Sequence, residues 1–221
     1  KECQISHVSS PNPSQFITDY APSLCVFNGK LTYVITNSLG YLSIGTSTDG
    51  EIFNFESVDP PKETPPVIVV PAASAPSAVA YNGSLYIAYT SGTGDLFIVQ
   101  NDPVVPKVPN KPQKPQTYTY TPLSTTIKSE TQLAPSIAVF FGELYYSYTG
   151  MDHKCYLGSY NNYAPAPTPP VFKFNFKTIG GTQKTKMAPA IGSSHGEFYW
   201  RGCKGRFIYL CSNSKSLFNY R

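Results

Sequence analysis

Ala21-Pro22-Ser23-Leu24-Cys25-Val26-Phe27-Asn28-Gly29-Lys30-Leu31 recurs as Ala75-Pro76-Ser77-Ala78-Val79-Ala80-Tyr81-Asn82-Gly83-Ser84-Leu85. It returns as Ala134-Pro135-Ser136-Ile137-Ala138-Val139-Phe140-Phe141-Gly142-Glu143-Leu144, and in degraded form as Ala188-Pro189-Ala190-Ile191-Gly192-Ser193-Ser194-His195-Gly196-Glu197-Phe198. The prolines at 22, 76, 135 and 189 are separated by steps of 54, 59 and 54. Self-similarity at a fixed period of this size marks one supersecondary unit per repeat, stacked against its neighbours. Four units account for the chain: 21–74, 75–133, 134–187 and 188–221, with 1–20 as an N-terminal closing segment of a single domain.

Each unit reads as four strands. The Ala-Pro-Ser run is the first, and its Asn-Gly (28–29, 82–83) is a hairpin signal, because a type I′ turn needs positive φ at both central residues. The second strand follows at 31–36, 85–90, 144–149 and 198–202, and the third at 41–45, 95–99, 155–158 and 207–211. The fourth carries Phe53-Asn54-Phe55, Phe174-Asn175-Phe176 or Phe218-Asn219-Tyr220, with Tyr118-Thr119-Tyr120 in the second unit. Alternation there sets aromatics on one face and Asn or Thr on the other. Repeated four-stranded antiparallel units at this period predict an all-β fold, a four-bladed β-propeller with about 55 residues per blade. A β-sandwich is the competing architecture.

Composition agrees. The 221 residues include 21 Pro, and only 14% are charged, against roughly a quarter in an average soluble domain. Frequent proline excludes a helical protein. No apolar run approaches the length of a membrane span. The net charge of +4 is mild, and Lys107, Lys111, Lys114, Lys184 and Lys186 are not gathered on one element. A nucleic-acid partner is therefore not expected. The chain opens on Lys1 and reads as a processed or trimmed chain, secreted or extracellular. Five cysteines without a C-x-x-C pair argue against a zinc site. Cys3 is expected near the seam between the last and first units, where a disulfide to Cys203 or Cys211 would staple the ring. Asn82-Gly83-Ser84 is a glycosylation sequon.

Prolines at 103, 106, 109, 112 and 115 have the period of a polyproline II helix and sit between strands three and four of unit two. Pro165, Pro167, Pro169 and Pro170 hold the same place in unit three. Both read as stiff surface loops.

No familiar nucleophile, phosphate-binding or metal-protease motif is present. Glycosidases need a carboxylate pair, or a Tyr nucleophile with an acid. Asp95 and Asp152 fall in the turn between strands two and three of adjacent units, which sequence alone places far apart. The three arginines, Arg201, Arg206 and Arg221, all lie in unit four. Binding groups are more plentiful. Alignment of second strands stacks Tyr33, Ile87, Tyr146 and Trp200 at one position and Ile35, Tyr89, Tyr148 and Gly202 two further on. Sugars stack C–H faces on such rings and pair hydroxyls with polar neighbours. The nearest polar groups are Asn37, Ser91, Asp95, Asp152, Lys204 and Arg206. The ligand-binding candidates are thus Tyr33, Asn37, Tyr89, Asp95, Tyr148, Asp152, Trp200, Arg201 and Arg206, with no catalytic residue.

The pattern Ala-Pro-Ser-x-x-Val-Phe-Asn-Gly-x-Leu-Tyr, followed by Tyr-Thr-x-x-Gly-x-Leu, resembles the blade repeat of bacterial and fungal propeller lectins. That resemblance implies recognition of fucose, N-acetylglucosamine or related sugars between blades. Those lectins place Trp and Arg in each second strand, whereas only Trp200-Arg201 does so here. Phe198-Tyr199-Trp200-Arg201-Gly202 is similar to hemopexin-type four-bladed domains, which implies an ion in the axial channel as the one cofactor. The expectation is a secreted lectin, not an enzyme, with glycans or glycoproteins as partners and a homodimer compatible with the sequence. A hemopexin-like scaffold for an ion, small ligand or protein is second, and a propeller glycosidase third.

Overall fold

The computed structural model describes residues 18–57, 70–101, 118–123, 125, 127–160, 174, 176–179, 184–194, 197–201 and 207–210. These form fifteen strands: β1 Ser23–Phe27, β2 Lys30–Thr36, β3 Leu42–Ser47, β4 Asn54–Ser57, β5 Ser77–Tyr81, β6 Ser84–Thr90, β7 Leu96–Asn101, β8 Tyr118–Leu123, β9 Ser136–Phe140, β10 Glu143–Thr149, β11 Cys155–Tyr160, β12 Lys177–Ile179, β13 Ala190–Ser194, β14 Glu197–Arg201 and β15 Phe207–Leu210. Three four-stranded antiparallel sheets follow chain order, β1-β2-β3-β4, β5-β6-β7-β8 and β9-β10-β11-β12. The fourth, β13-β14-β15, has three strands among the described residues. The expected strand at 218–220 lies outside them. Each sheet is one blade of an all-β propeller.

The repeated residues are the ones that join blades. First strands pack side by side, β1 against β5, β5 against β9 and β9 against β13, so they are the inner strands. The serine of each Ala-Pro-Ser accepts a backbone N–H from the next blade: Ser23 Oγ from Ala78 at 2.9 Å, Ser77 Oγ from Ile137 at 3.1 Å, Ser136 Oγ from Ile191 at 3.0 Å. The threonine closing each second strand is buried and donates to the linker that enters the next blade. Thr36 reaches Ser74 O at 3.1 Å, Thr90 reaches Leu133 O at 3.5 Å and Thr149 reaches Met187 O at 2.8 Å. A buried hydroxyl must find a partner, and these seams supply it.

The hairpin expectation holds in detail. Asn28, Asn82 and Phe141 take positive φ (51°, 47° and 47°), each followed by a positive-φ glycine. The fourth strands differ from expectation. Phe53 precedes β4, and Phe174 and Phe176 precede β12. Their rings serve packing more than pairing. Phe55 lies on Gly45, and Phe176 and Phe174 on Gly158, where an added Cβ would sit 2.7 Å and 2.9 Å from the nearest ring atom. In blade 2, Val99 replaces that glycine and pairs with Tyr120.

Chain order fixes which ends lie together. Linkers and the turns between second and third strands share one face; hairpins such as Asn82-Gly83 and the loops between third and fourth strands share the other. The proline-rich runs 102–117 and 161–173 lie outside the described residues.

Candidate functional site

Residues 127–130 form a strap that crosses the linker face from blade 2 to blade 3. Ser129 N–H bonds Gly94 O at 2.9 Å, Met151 N–H bonds Lys128 O at 2.9 Å, and Glu130 N–H bonds Thr149 O at 2.8 Å. Ser129 is fully buried between the two turns. Extended backbone alternates its side chains, so Lys128 and Glu130 both project away from the core. Lys128 turns back to blade 2, its Nζ 3.3 Å from Asp95 Oδ1. Glu130 turns forward to blade 3, its Oε2 3.7 Å from His153 Nδ1.

Asp95 accepts from the Thr93 hydroxyl at 2.6 Å. That bond, with Lys128 beside it, holds its carboxyl below the usual carboxylate range. Asp152 is built differently. Partial burial works against its ionised form, but the Lys154 N–H (3.1 Å), the Tyr156 hydroxyl (3.0 Å) and the Lys154 ammonium (3.5 Å) outweigh it and lower its pKa. The Tyr156 hydroxyl is pushed up to about 12, first by burial and then by the Asp152 carboxylate. Its ring stacks on Tyr148, with centroids 4.9 Å apart.

The local sequence explains why the acid sits there. Asn37 and Ser91 cap their own turns, accepting the N–H groups of Leu39 and Tyr41 and of Thr93 and Asp95 respectively. Blade 3 has Gly150 at that position, with no side chain to cap. A Cβ there would lie 2.8 Å from Asp152 Oδ1 and from the Tyr156 ring. The glycine therefore admits the carboxylate, which takes over as cap. His153 occupies the left-handed position (φ 63°) that Gly40 and Gly94 hold in the other turns. A non-glycine residue there carries strain.

Asp95, Glu130 and Asp152 thus share one face, with Lys128, His153 and Lys154 beside them. The inner strands β1, β5, β9 and β13 carry no carboxylate. Among the described residues, no group of three or more His, Cys, Asp or Glu side chains is placed to hold a metal ion.

The other candidates fall elsewhere. Tyr89 and Tyr148 are core residues, their hydroxyls donating to Val70 O at 2.9 Å and Ile127 O at 3.0 Å. Trp200 is also buried. Tyr33 packs in the blade 1 aromatic cluster, 5.7 Å from Phe53 and 6.0 Å from Phe55. These four rings are packing elements and not an exposed sugar platform. Asn37 is spent on its own turn. Arg201 is exposed at the end of β14. Asn82 is exposed at a hairpin tip on the opposite face. Arg206, Lys204, Cys3, Cys203 and Cys211 lie outside the described residues, and so does the expected staple. The two described cysteines are Cys25, half-buried, and Cys155, buried.

Lys128, Glu130, His153 and Tyr156 were not expected. One signal for them existed in the sequence: His153 stands where the aligned turns have glycine.

No family model matches the chain, and no curated protein does. Solved structures do. A GH43 endo-arabinanase from Bacillus licheniformis matches with a TM-score of 0.53 at 16% identity, over 96% of this chain and 76% of that one. An α-L-arabinofuranosidase from Clostridium thermocellum matches at 0.50 and 14% identity, over 81% of this chain and 59% of that one. A GH43 glycoside hydrolase engineered for endo-xylanase and exo-arabinofuranosidase activity matches at 0.51 and 11% identity, over 93% of this chain and 43% of that one. The chain thus spans less than two thirds of two of the three. These matches correct the expectation of a lectin that is not an enzyme, and its hemopexin-like alternative. The Ala-Pro-Ser repeat specifies hairpins and seams between blades, and proteins sharing that architecture here are glycoside hydrolases. At such identity the likeness speaks for architecture: the chain is a β-propeller of repeated four-stranded blades.

Proposed function

We propose that this propeller is a carbohydrate-active domain of the glycoside hydrolase kind, with its reacting groups on the linker face at the seam of blades 2 and 3. The observation that carries this reading is that the turns bearing Asp95 and Asp152 flank and hydrogen-bond the strap bearing Glu130, in a fold that solved arabinanases share. Glycosidic cleavage needs one carboxyl to give a proton to the leaving oxygen and another that is ionised, as nucleophile or as base for water. Asp152 and Asp95 are held ionised by their hydrogen bonds and suit the second role. Glu130, whose Oε2 lies 3.7 Å from His153 Nδ1, is the carboxyl left for the first role. Leu39, Tyr41, Met151 and Met187 expose apolar surface on the same face. Such surface takes the C–H side of a sugar. The substrate class is a pentose-rich polysaccharide, arabinan first, by likeness to the matched enzymes.

Release of reducing sugar from arabinan and from aryl α-L-arabinofuranosides is the test. Turnover that falls with Asp152→Asn or Glu130→Gln supports the reading. A folded protein that hydrolyses neither substrate, or whose activity ignores both substitutions, contradicts it.

A further inference from the structure

Charge is divided unevenly along the chain. Residues 153–221 hold ten Lys and Arg and one carboxylate, Glu197, whereas residues 1–152 hold seven cations and twelve acids. Such an asymmetry marks one part of a protein for an anionic partner. The fold decides where those cations gather.

The linkers that enter blades 2, 3 and 4 run in register. Each gives one backbone N–H to the carbonyl of the left-handed residue in the preceding turn: Ala72 to Gly40 at 2.9 Å, Ser129 to Gly94 at 2.9 Å, Thr185 to His153 at 2.6 Å. Lys184-Thr185-Lys186 is therefore the counterpart, between blades 3 and 4, of the strap Lys128-Ser129-Glu130. The turns match as well, since Asp95 O and Lys154 O accept the closing N–H groups of Ser91 and Gly150, each at 2.9 Å. Thr185 is buried as Ser129 is, and alternation along extended backbone sends Lys184 and Lys186 to solvent.

One seam earlier these places are held by Lys128, Asp95 and Glu130, a cation among acids. Here they are held by Lys184, Lys154 and Lys186. Lys128 has Asp95 at 3.3 Å, but Lys184 meets a lysine at the matching position. Lys154 pairs with Asp152 at 3.5 Å. Lys184 and Lys186 form no ion pair among the described residues. The remaining residues of units three and four contain no Asp or Glu to supply one. Glu197 opens β14 at the hairpin end of blade 4, and the exposed Arg201 closes that strand on the linker face.

We propose that the linker face at the seam of blades 3 and 4 binds a carboxylate carried by the glycan, so that the substrate is an acidic, uronate-bearing polysaccharide; the sugar part of this assignment rests on the function proposed above. Exposed ammonium groups without a carboxylate of their own attract an anion and make charge-assisted hydrogen bonds to it. The seam adjoins the Asp152 turn, so a pentose lying on the strap leaves its acidic neighbour over Lys184 and Lys186. A nucleic acid fits this surface less well. Its closely spaced phosphates would meet Asp95, Glu130 and Asp152 on the same face. The exposed apolar side chains beside the lysines are Met151 and Met187, which offer no ring for a base to stack on.

The test reads binding without turnover, which separates failure of this site from failure of the proposed hydrolysis. The galacturonic acid hexamer is titrated calorimetrically into the 221-residue protein at about 50 mM salt, with neutral arabinohexaose and an oligothymidylate of six phosphates as comparisons. The acidic hexamer is expected to bind at least about tenfold more tightly than either. The double variant Lys184→Gln, Lys186→Gln should lose about tenfold of that affinity, while Lys30→Gln, exposed on blade 1, stays within about twofold. Should the double variant melt early, salt decides: a loss of about tenfold for the wild type between about 50 and 300 mM salt supports the proposal, and an unchanged affinity overturns it. Equal binding of the acidic and neutral hexamers, or affinity in a folded double variant equal to that of the wild type, also overturns it. Oligothymidylate bound as tightly as the uronate hexamer overturns the sugar assignment. Uronate binding without arabinan turnover supports this site and contradicts the proposed chemistry alone.

Discussion

Residues 37–41 of blade 1 and 150–154 of blade 3 close their strands with the same two backbone hydrogen bonds. They run from Asn37 N–H to Tyr41 O and Gly40 N–H to Asn37 O in the first, and from Gly150 N–H to Lys154 O and His153 N–H to Gly150 O in the second. Both pass a carbonyl on to the following linker, Gly40 O to Ala72 and His153 O to Thr185. The side chains divide them. Blade 1 uses an asparagine as its cap and a glycine at the strained position, which is a purely structural solution. Blade 3 omits the cap, lets an acid take its place and accepts a histidine in left-handed backbone. A conserved hydrogen-bond frame thus carries two different surfaces, one inert and one charged. The difference teaches that in this propeller the repeat holds the frame, and departures from the repeat mark the chemistry.

The largest expected effect breaks the comparison at its chemical end. Asp152→Asn should lower hydrolysis by about 100-fold or more, the scale of a lost acid or base, while Asn37→Ala leaves turnover within about twofold. Kinetics of both variants on arabinan check this. The next effect is structural. Gly40→Ala places a Cβ 2.7 Å from the Pro71 side chain and 2.9 Å from Ala72 O at φ 83°. It should cost about 2–3 kcal/mol in denaturant unfolding, from strain and overpacking together. The reverse change in the other turn, His153→Gly, should relieve left-handed strain and be neutral or stabilising by up to about 1 kcal/mol, offset in part by backbone entropy. Smaller and equal losses are expected from Thr36→Val and Thr149→Val, about 1–2 kcal/mol each, because both hydroxyls serve the shared frame. Unequal losses would show that the two turns are not supported alike.

The smallest effect is electrostatic. The pKa of Asp152 is lowered in the fold, so the stability it contributes is fully present above its unfolded value and is lost as pH falls through the folded one. Its side chain is partly exposed, which keeps the contribution below about 1 kcal/mol. Melting temperature measured from pH 7 down to pH 3 should fall less steeply for Asp152→Asn than for the wild type.

Much of the frame could be read in the residues themselves. Ala-Pro-Ser announced the inner strands because its serine has a fixed task at every seam. The Asn-Gly pairs announced the hairpins because few residues tolerate positive φ there. The aromatic signature was misplaced by a few residues, since Phe174 and Phe176 answer to Gly158 across the sheet and not to the pairing of their own strand. Tyr89 and Tyr148 looked like binding groups because a single sequence does not distinguish a buried tyrosine with a carbonyl partner from an exposed one. The strap was illegible for another reason. Lys128 and Glu130 lie in a linker outside the repeat, and only the fold brings them to Asp95 and His153.

The account stands or falls on whether the strap at the seam of blades 2 and 3 does chemistry. Reducing-sugar release from arabinan by the wild type and by Asp152→Asn, both shown folded by circular dichroism, measures that directly. The account predicts turnover by the wild type that drops by at least about 100-fold in the variant. Equal rates in the two, or none in the wild type, would contradict it.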